Sequence, residues 1–128
     1  MKASRGVVSI LCGALIVLGI GVSASVAQVS FNKGELDATY AAPYDKTWQA
    51  ALEGLRTFDW IWVYKTQRDS TGGIIEAHGK NERHITVTVR PTGANTTLVK
   101  IQVGTFGDDV QSLQINQAIA AQLKALQK

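Results

Sequence analysis

The amino-acid sequence predicts an α+β domain with a single antiparallel sheet of about five strands and two helices packed on one face. Several segments alternate apolar and polar residues with a period of two, which is typical of half-buried strands. Two other segments repeat apolar residues at spacings of three and four, which is typical of amphipathic helices. The turns between the later strands are short, so those strands are expected to be antiparallel neighbours. The predicted element order is β-α-β-β-β-β-α.

The first strand and the first helix are predicted between residues 34 and 56. Leu36, Ala38 and Tyr40 alternate with polar residues, which predicts a strand over 34–40. Pro43 suits the first turn of a helix, because that position needs no backbone N–H. The apolar side of this helix consists of Tyr44, Trp48, Ala51, Leu52 and Leu55.

Four strands and a second helix follow. The strands are predicted over 60–66, 73–78, 83–90 and 97–103, with turns rich in Gly, Asn, Asp and Ser between them. A loop over 104–109 leads into the last helix, for which Asp109 or Ser112 is the expected N-cap. The apolar side of that helix consists of Leu113, Ile115, Ile119, Leu123 and Leu126.

The N-terminal segment has the three-part pattern of a secretory signal. Lys2 and Arg5 form a basic start, an almost continuous apolar run covers 7–20, and small residues dominate 21–27. This pattern predicts export to the periplasm or cell envelope. The expected organisation is a signal peptide over 1–27, a flexible lead-in over 28–33 and a single α+β domain over 34–128.

The fate of the signal segment has three alternatives. Cleavage after Ala27 is the first expectation and cleavage after Ala24 the second, since both sites end in small residues. The uncharged stretch 6–27 is also long enough to span a bilayer as an uncleaved anchor. Cys12 does not match a lipid-attachment site, because Leu11 precedes it and the apolar run continues after it.

Export changes what the composition implies about partners. The 128 residues include 13 Lys and Arg and 10 Asp and Glu, which give a formal net charge of +3. Removing residues 1–27 takes away two of the basic residues and leaves a net charge of +1. The remaining basic residues are scattered along the chain. Nucleic-acid binding needs a basic cluster that neutralises several phosphates, so this class of function is excluded.

No constellation of residues predicts catalysis. His78 and His84 could meet across two strands near Glu76, but two histidines without Cys or a dense carboxylate set are weak evidence for a metal site. We interpret them as solvent-facing side chains. Asp108 and Asp109 precede a helix, where carboxylates commonly cap the helix or interact with its dipole. We therefore expect no enzyme activity, no catalytic residue, no metal and no cofactor.

An aromatic segment is the most unusual local feature. Alternation places Trp60, Trp62 and Tyr64 on one face of a strand and Ile61 and Val63 on the other. Either the strand is buried on both faces, or the aromatic face is exposed as a contact surface, since Trp and Tyr are frequent interface anchors. The candidate contact residues for a partner or ligand are Trp60, Trp62, Tyr64 and Phe106.

Two segments resemble an uncharacterised family of short exported bacterial envelope proteins, a domain of unknown function. They are ATYAAPYDKTW at 38–48, followed by Ala51 and Leu52, and VGTFGD at 103–108, followed by the helix over 112–123. The resemblance extends from about residue 36 to 126 and implies a cell-envelope location with no established activity. Many members are lipoproteins, and the missing lipid-attachment motif departs from that pattern. The strand, proline and helix with its Trp also resemble helix-grip folds, including domains of a lipoprotein of the outer-membrane β-barrel assembly machinery.

Two functions are consistent with this sequence. The leading hypothesis is a non-catalytic exported envelope protein that acts as a small interaction or accessory module. Its expected partner is another envelope protein, and it would meet the membrane only through an uncleaved signal segment. The alternative is a binding module for a small hydrophobic ligand or lipid in a helix-grip-like cavity between sheet and helix.

Overall fold

A computed structural model describes residues 26–127 and confirms the α+β fold, with two helices on one face of an antiparallel sheet. The strands are β1 (Val26–Asn32), β2 (Glu35–Tyr40), β3 (Trp62–Asp69), β4 (Gly72–His78), β5 (His84–Gly93) and β6 (Thr96–Val103). The helices are α1 (Tyr44–Arg56) and α2 (Asp109–Leu126). The six strands lie in the order β1-β2-β6-β5-β4-β3. Residues 1–25, which make up most of the predicted signal peptide, lie outside the described residues.

The sheet has one strand more than expected. Residues 28–32, predicted as a flexible lead-in, belong to β1, which pairs antiparallel with β2. Lys33 and Gly34 join the two strands with φ values of 55° and 84°. Two consecutive residues with positive φ are the requirement of the tight hairpin turn that matches the natural twist of strands. Residues 28–32 alternate polar and apolar side chains over only five positions, and pairing with β2 fixes them as a strand.

The core lies between the sheet and the two helices. The predicted inward sets on β5 and β6 are confirmed, since all six side chains are fully buried: Ile85, Val87, Val89, Val99, Ile101 and Val103. Ile115, Ile119 and Leu123 of α2 are buried against them, whereas Leu113 is 39% exposed. The two helices approach closely at Gly54, where a Cβ would lie 3.0 Å from the Ile119 backbone nitrogen.

Both helix starts differ from the expectation by one or more residues. Pro43 is the N-cap of α1 rather than part of its first turn, and it keeps an extended backbone. Asp108 is the N-cap of α2, because its side chain accepts a hydrogen bond from the Gln111 backbone N–H at 2.9 Å. The expectation of Asp109 or Ser112 is wrong, since both already lie inside the helix. Neither helix within residues 26–127 is long and apolar enough to cross a membrane.

Candidate functional site

β3 begins at Trp62, so Trp62 and Tyr64 belong to the strand and Trp60 does not. Trp62 and Tyr64 lie on the helix-free face of the sheet and are 71% and 44% exposed. Trp60 precedes the strand, is partly buried against the core and lies 5.0 Å from the Phe58 ring between centroids. The expectation that Trp60 shares a face with the other two is therefore wrong. The Ile61 N–H donates a hydrogen bond to the Phe58 carbonyl and forms a turn. This turn interrupts the alternation of side chains before the strand starts.

A β-bulge lies at Tyr64, which alternation with Trp62 already places on the exposed face. The pairing of β3 with β4 shifts between Val63, which is opposite Ala77, and Lys65, which is opposite Glu76. The extra residue is Tyr64, and the bulge places Tyr64 and Lys65 on the same face, where both contact Glu76. Ile61 and Val63 are buried or half-buried on the helix side. Of the two interpretations of this strand, the structure matches the one with an exposed aromatic face.

Two histidines and a glutamate surround the Tyr64 ring. His78 stacks on it with centroids 4.5 Å apart and planes 15° apart. The Tyr64 hydroxyl lies 3.3 Å from His84 Nδ1 and 3.4 Å from Glu76 Oε1. The Nε2 atom of His84 is 3.2 Å from the same Glu76 oxygen. These contacts hold Tyr64 in one orientation.

Glu76 and Lys65 determine the electrostatics around the Tyr64 ring. Partial desolvation raises the pKa of the Tyr64 hydroxyl, and the neighbouring Glu76 carboxylate raises it further, so the ring stays neutral. Lys65 Nζ lies 3.8 Å from Glu76 Oε2 and balances its charge. His78 and His84 are directly opposite each other in the β4–β5 register. Within residues 26–127, no group of three or more ligating side chains is placed to hold a metal ion.

Phe106 projects from the loop between β6 and α2 and is 91% exposed. The backbone of this loop packs directly against the turn between β1 and β2. The two are so close that a Cβ on Gly107 would lie 2.2 Å from the Gly34 carbonyl oxygen. Asp108, which follows Gly107, forms a salt bridge with Arg83, whose Nη1 atom lies 2.8 Å from Asp108 Oδ2. Phe106 is therefore an exposed ring on an anchored loop.

His84 contacts Tyr64 and also lines a cleft together with Phe106 of this loop. A surface cleft of about 510 Å³ is lined by Arg83, His84 and Phe106, together with backbone of the loops at this end of the sheet. β3 begins, β4 ends, β5 begins and β6 ends here, so Trp62, Tyr64 and Phe106 share one end of the molecule. The β4–β5 connection also contains Asn81 and Glu82 with φ values of 56° and 58°. Such positive φ values are uncommon for residues other than glycine.

Sequence reasoning did not connect the histidines with the aromatic segment. They were predicted as solvent-facing side chains on the polar side of a hairpin; the register confirms that side and His84 is exposed, but Tyr64 stacks on His78 and leaves it partly buried. The bulge after Val63 brings Tyr64 onto His78, and no pattern in the sequence signals that bulge. Arg68 was also missed: its guanidinium lies 4.4 Å from the Tyr44 ring and 2.7 Å from Asp45 Oδ1, where it joins β3 to α1.

Comparison with protein families gives one match. The model of the family described as "Protein of unknown function (DUF3568)" matches residues 3–122. The chain belongs to this family. The family match covers β1 to β6 and most of α2, and thus every residue of the site described above. A comparison with curated proteins finds no match.

Proposed function

We propose that this member of the family is a non-catalytic, exported module that binds another cell-envelope protein. The contact surface consists of Trp62, Tyr64 and Phe106, which we name the aromatic surface. The observation that carries this proposal is the Trp62 side chain, 71% exposed on the helix-free face next to a Tyr held by stacking. Large aromatic side chains exposed together are costly in water and are frequent anchors of protein interfaces.

The composition of the surroundings supports a protein partner. Lys65, Glu76 and His84 provide hydrogen-bond donors and acceptors beside Tyr64 and between it and the Phe106 loop. Protein interfaces commonly combine aromatic anchors with about ten direct hydrogen bonds. The bound geometry is already present in part, because stacking on His78 fixes Tyr64 and the Gly34 contact anchors the Phe106 loop.

The alternative function, a cavity for a small hydrophobic ligand, has less support. The space between helices and sheet is filled by fully buried side chains, including Leu55, Ile101 and Ile119. The clefts of about 510 and 620 Å³ lie at the surface, at opposite ends of the strands. We therefore favour the interaction module.

Export by residues 1–27 is part of the proposal. The family match begins at residue 3, so the apolar segment belongs to the pattern that the family shares. We expect cleavage after Ala27 and no lipid on Cys12. The intact mass of the protein recovered from the envelope of its host distinguishes the four outcomes, which are cleavage after Ala27, cleavage after Ala24, a retained segment and a lipid-modified chain. A retained or lipid-modified chain would contradict this part of the proposal.

Truncation of the aromatic surface tests the interaction. Tagged wild type, Trp62→Ala and Phe106→Ala are used to capture proteins from envelope extract, and the affinity for the captured protein is then measured with purified components. We expect Trp62→Ala to weaken binding by at least about tenfold, because interface Trp residues are frequent hot spots. Thermal unfolding should stay close to that of wild type, since Trp62 is mostly exposed.

Gln67→Ala is the matched control. Gln67 is exposed on the same strand, opposite Ile74 and farther from the aromatic surface. We expect this variant to bind like wild type. Unchanged binding by Trp62→Ala and Phe106→Ala, at unchanged stability, would refute the proposed contact surface.

A further inference from the structure

The two edge strands of the sheet differ in their protection against pairing with another chain. β3 carries Lys65, Arg68 and Asp69 and contains the bulge at Tyr64, which are features that prevent unwanted strand addition. β1 contains no charged residue and no proline, and its pairing with β2 is regular from Gln28 to Asn32. The outer side of such a strand offers backbone N–H and C=O groups to a further strand.

Apolar side chains lie beside this unprotected edge. Val29 and Phe31 are opposite Ala38 and Leu36 in β2 and therefore point to the helix side, yet they are 40% and 45% exposed. They are exposed because β1 lies beyond the part of the sheet that the helices cover. The sheet edge thus has unpaired backbone groups and uncovered apolar side chains at the same place.

The nearby side of α2 is apolar as well. Asn116 accepts a hydrogen bond from the Tyr40 hydroxyl of β2, which identifies the flank of α2 that faces this edge. Leu113 lies one helical turn before Asn116 on that flank and is 39% exposed. On the other flank, α2 approaches Gly54 of α1. Leu113, Val29 and Phe31 are thus apolar side chains without full cover at one edge of the domain.

We propose that β1 pairs antiparallel with β1 of a second copy of this chain, about a two-fold axis at Ser30. Ser30 then lies opposite the partner subunit's Ser30, and Val29 lies opposite the partner subunit's Phe31. Gln28 lies opposite the partner subunit's Asn32. The two six-stranded sheets become one continuous sheet, with all four helices on the same face.

The sequence of β1 is self-complementary in this register. Val29 and Phe31 meet on the helix side, where cross-strand apolar pairs stabilise a sheet. Gln28 and Asn32 meet on the other side, where their amides can hydrogen bond. No charges are brought together, and a two-fold interface uses the same patch on both copies. The strand junction alone is smaller than the roughly 1,000 Å² typical of a specific interface, and the uncovered side chains of Val29, Phe31 and Leu113 supply the additional apolar area.

Charge variants at the two-fold axis test this pairing in the chain exported by its host. Ser30→Lys places two ammonium groups opposite each other, and Ser30→Glu places two carboxylates opposite each other and beside Asp37 of β2, so Ser30→Glu repels more strongly. Like charges that face each other across strands destabilise pairing, whereas opposite charges stabilise it. Light scattering with size-exclusion chromatography should give a dimer for wild type, a monomer for each variant and a dimer for their equimolar mixture. Gln67→Lys on β3 is the control and should stay dimeric.

Cross-linking tests the register directly. With Cys12 replaced by Ser, Ser30→Cys should form a disulfide-linked dimer under mild oxidation, because directly opposite residues lie within disulfide range. Gln67→Cys in the same background should not. A monomeric wild type, or a dimer that persists in both charge variants, overturns the proposal. So does a Ser30→Cys chain that cross-links only to a different envelope protein, which would assign the edge to a foreign strand.

The pairing of β1 uses none of the three residues of the aromatic surface. Trp62 and Tyr64 lie on β3, at the opposite edge of the sheet from β1. Trp62→Ala should therefore stay dimeric, and Ser30→Lys should keep its contact with the captured envelope protein. Either proposal can fail while the other stands.

Discussion

The contact between Gly34 and Gly107 gives a quantitative prediction about stability. The two glycines have φ values of 84° and 87°, in the left-handed region that disfavours side chains. A Cβ on Gly107 would lie 2.2 Å from the Gly34 carbonyl oxygen and 2.6 Å from its Cα. These neighbours are backbone atoms, so they cannot turn aside as a side chain would. Gly107→Ala must therefore separate the β1–β2 turn from the loop that carries Phe106.

Gly104→Ala is the matched control for this effect. Gly104 has a φ of 76° in the same loop, but its Cβ would lie 3.6 Å from the nearest atom, Arg83 Cδ. Alanine at position 104 should lower the free energy of unfolding only by the cost of the left-handed backbone conformation, about 1–2 kcal/mol. Gly107→Ala adds the backbone clash, and we expect a total loss of about 3–5 kcal/mol, which is a large part of the 5–15 kcal/mol typical of a domain. Urea unfolding of both variants measures the difference, and equal losses would refute the close approach of the two backbones.

Three other substitutions should have predictable effects on stability. Tyr40→Phe removes the hydroxyl that donates to Asn116 and leaves a buried amide oxygen unpaired, which should cost about 1–3 kcal/mol. Tyr44→Phe removes an exposed hydrogen bond to the Asp69 carbonyl and should change stability by less than about 0.5 kcal/mol in thermal unfolding. Asp108→Ala removes the N-cap of α2 and should cost about 1 kcal/mol at neutral pH.

The effect of Asp108 should depend on pH in a defined direction. The hydrogen bond from the Gln111 backbone N–H and the charge of Arg83 lower the pKa of this carboxyl in the folded state. A group with a lowered folded pKa stabilises the protein above its unfolded pKa, about 3.9 for Asp, and loses this contribution as the pH falls through the folded pKa. The stability gap between wild type and Asp108→Ala should therefore narrow in acid. A gap that widens below pH 4 in pH-dependent urea unfolding would contradict the assignment.

Much of the fold could be predicted because periodicity reports burial directly. The alternation of Ile85, Val87 and Val89 has one physical solution, a strand with that side against a core. The same holds for Tyr44 to Leu55, where the spacing of apolar residues fits one side of a helix. These elements have strong local patterns, and tertiary contacts agree with them.

The features that were not predicted depend on pairing between elements. Residues 28–32 alternate polar and apolar side chains, but the segment is short, and its hairpin partner β2 fixes it as a strand. The bulge at Tyr64 depends on how β3 aligns with β4. The cap of α2 at Asp108 depends in part on Arg83, 25 residues earlier in the chain. Local sequence reports local preference, whereas register and long-range ion pairs are properties of the assembled sheet.

The Gly34–Gly107 contact joins the two proposed surfaces through the backbone. Gly34 belongs to the turn that ends β1, and Gly107 follows Phe106. Trp62→Ala should reduce capture of the envelope partner without changing the oligomeric state, and Ser30→Lys should do the reverse. Gly107→Ala displaces both the end of β1 and the Phe106 loop, so at a temperature where it remains folded it should weaken both activities. A Gly107→Ala chain that dimerises and binds like wild type would show that neither surface depends on this contact.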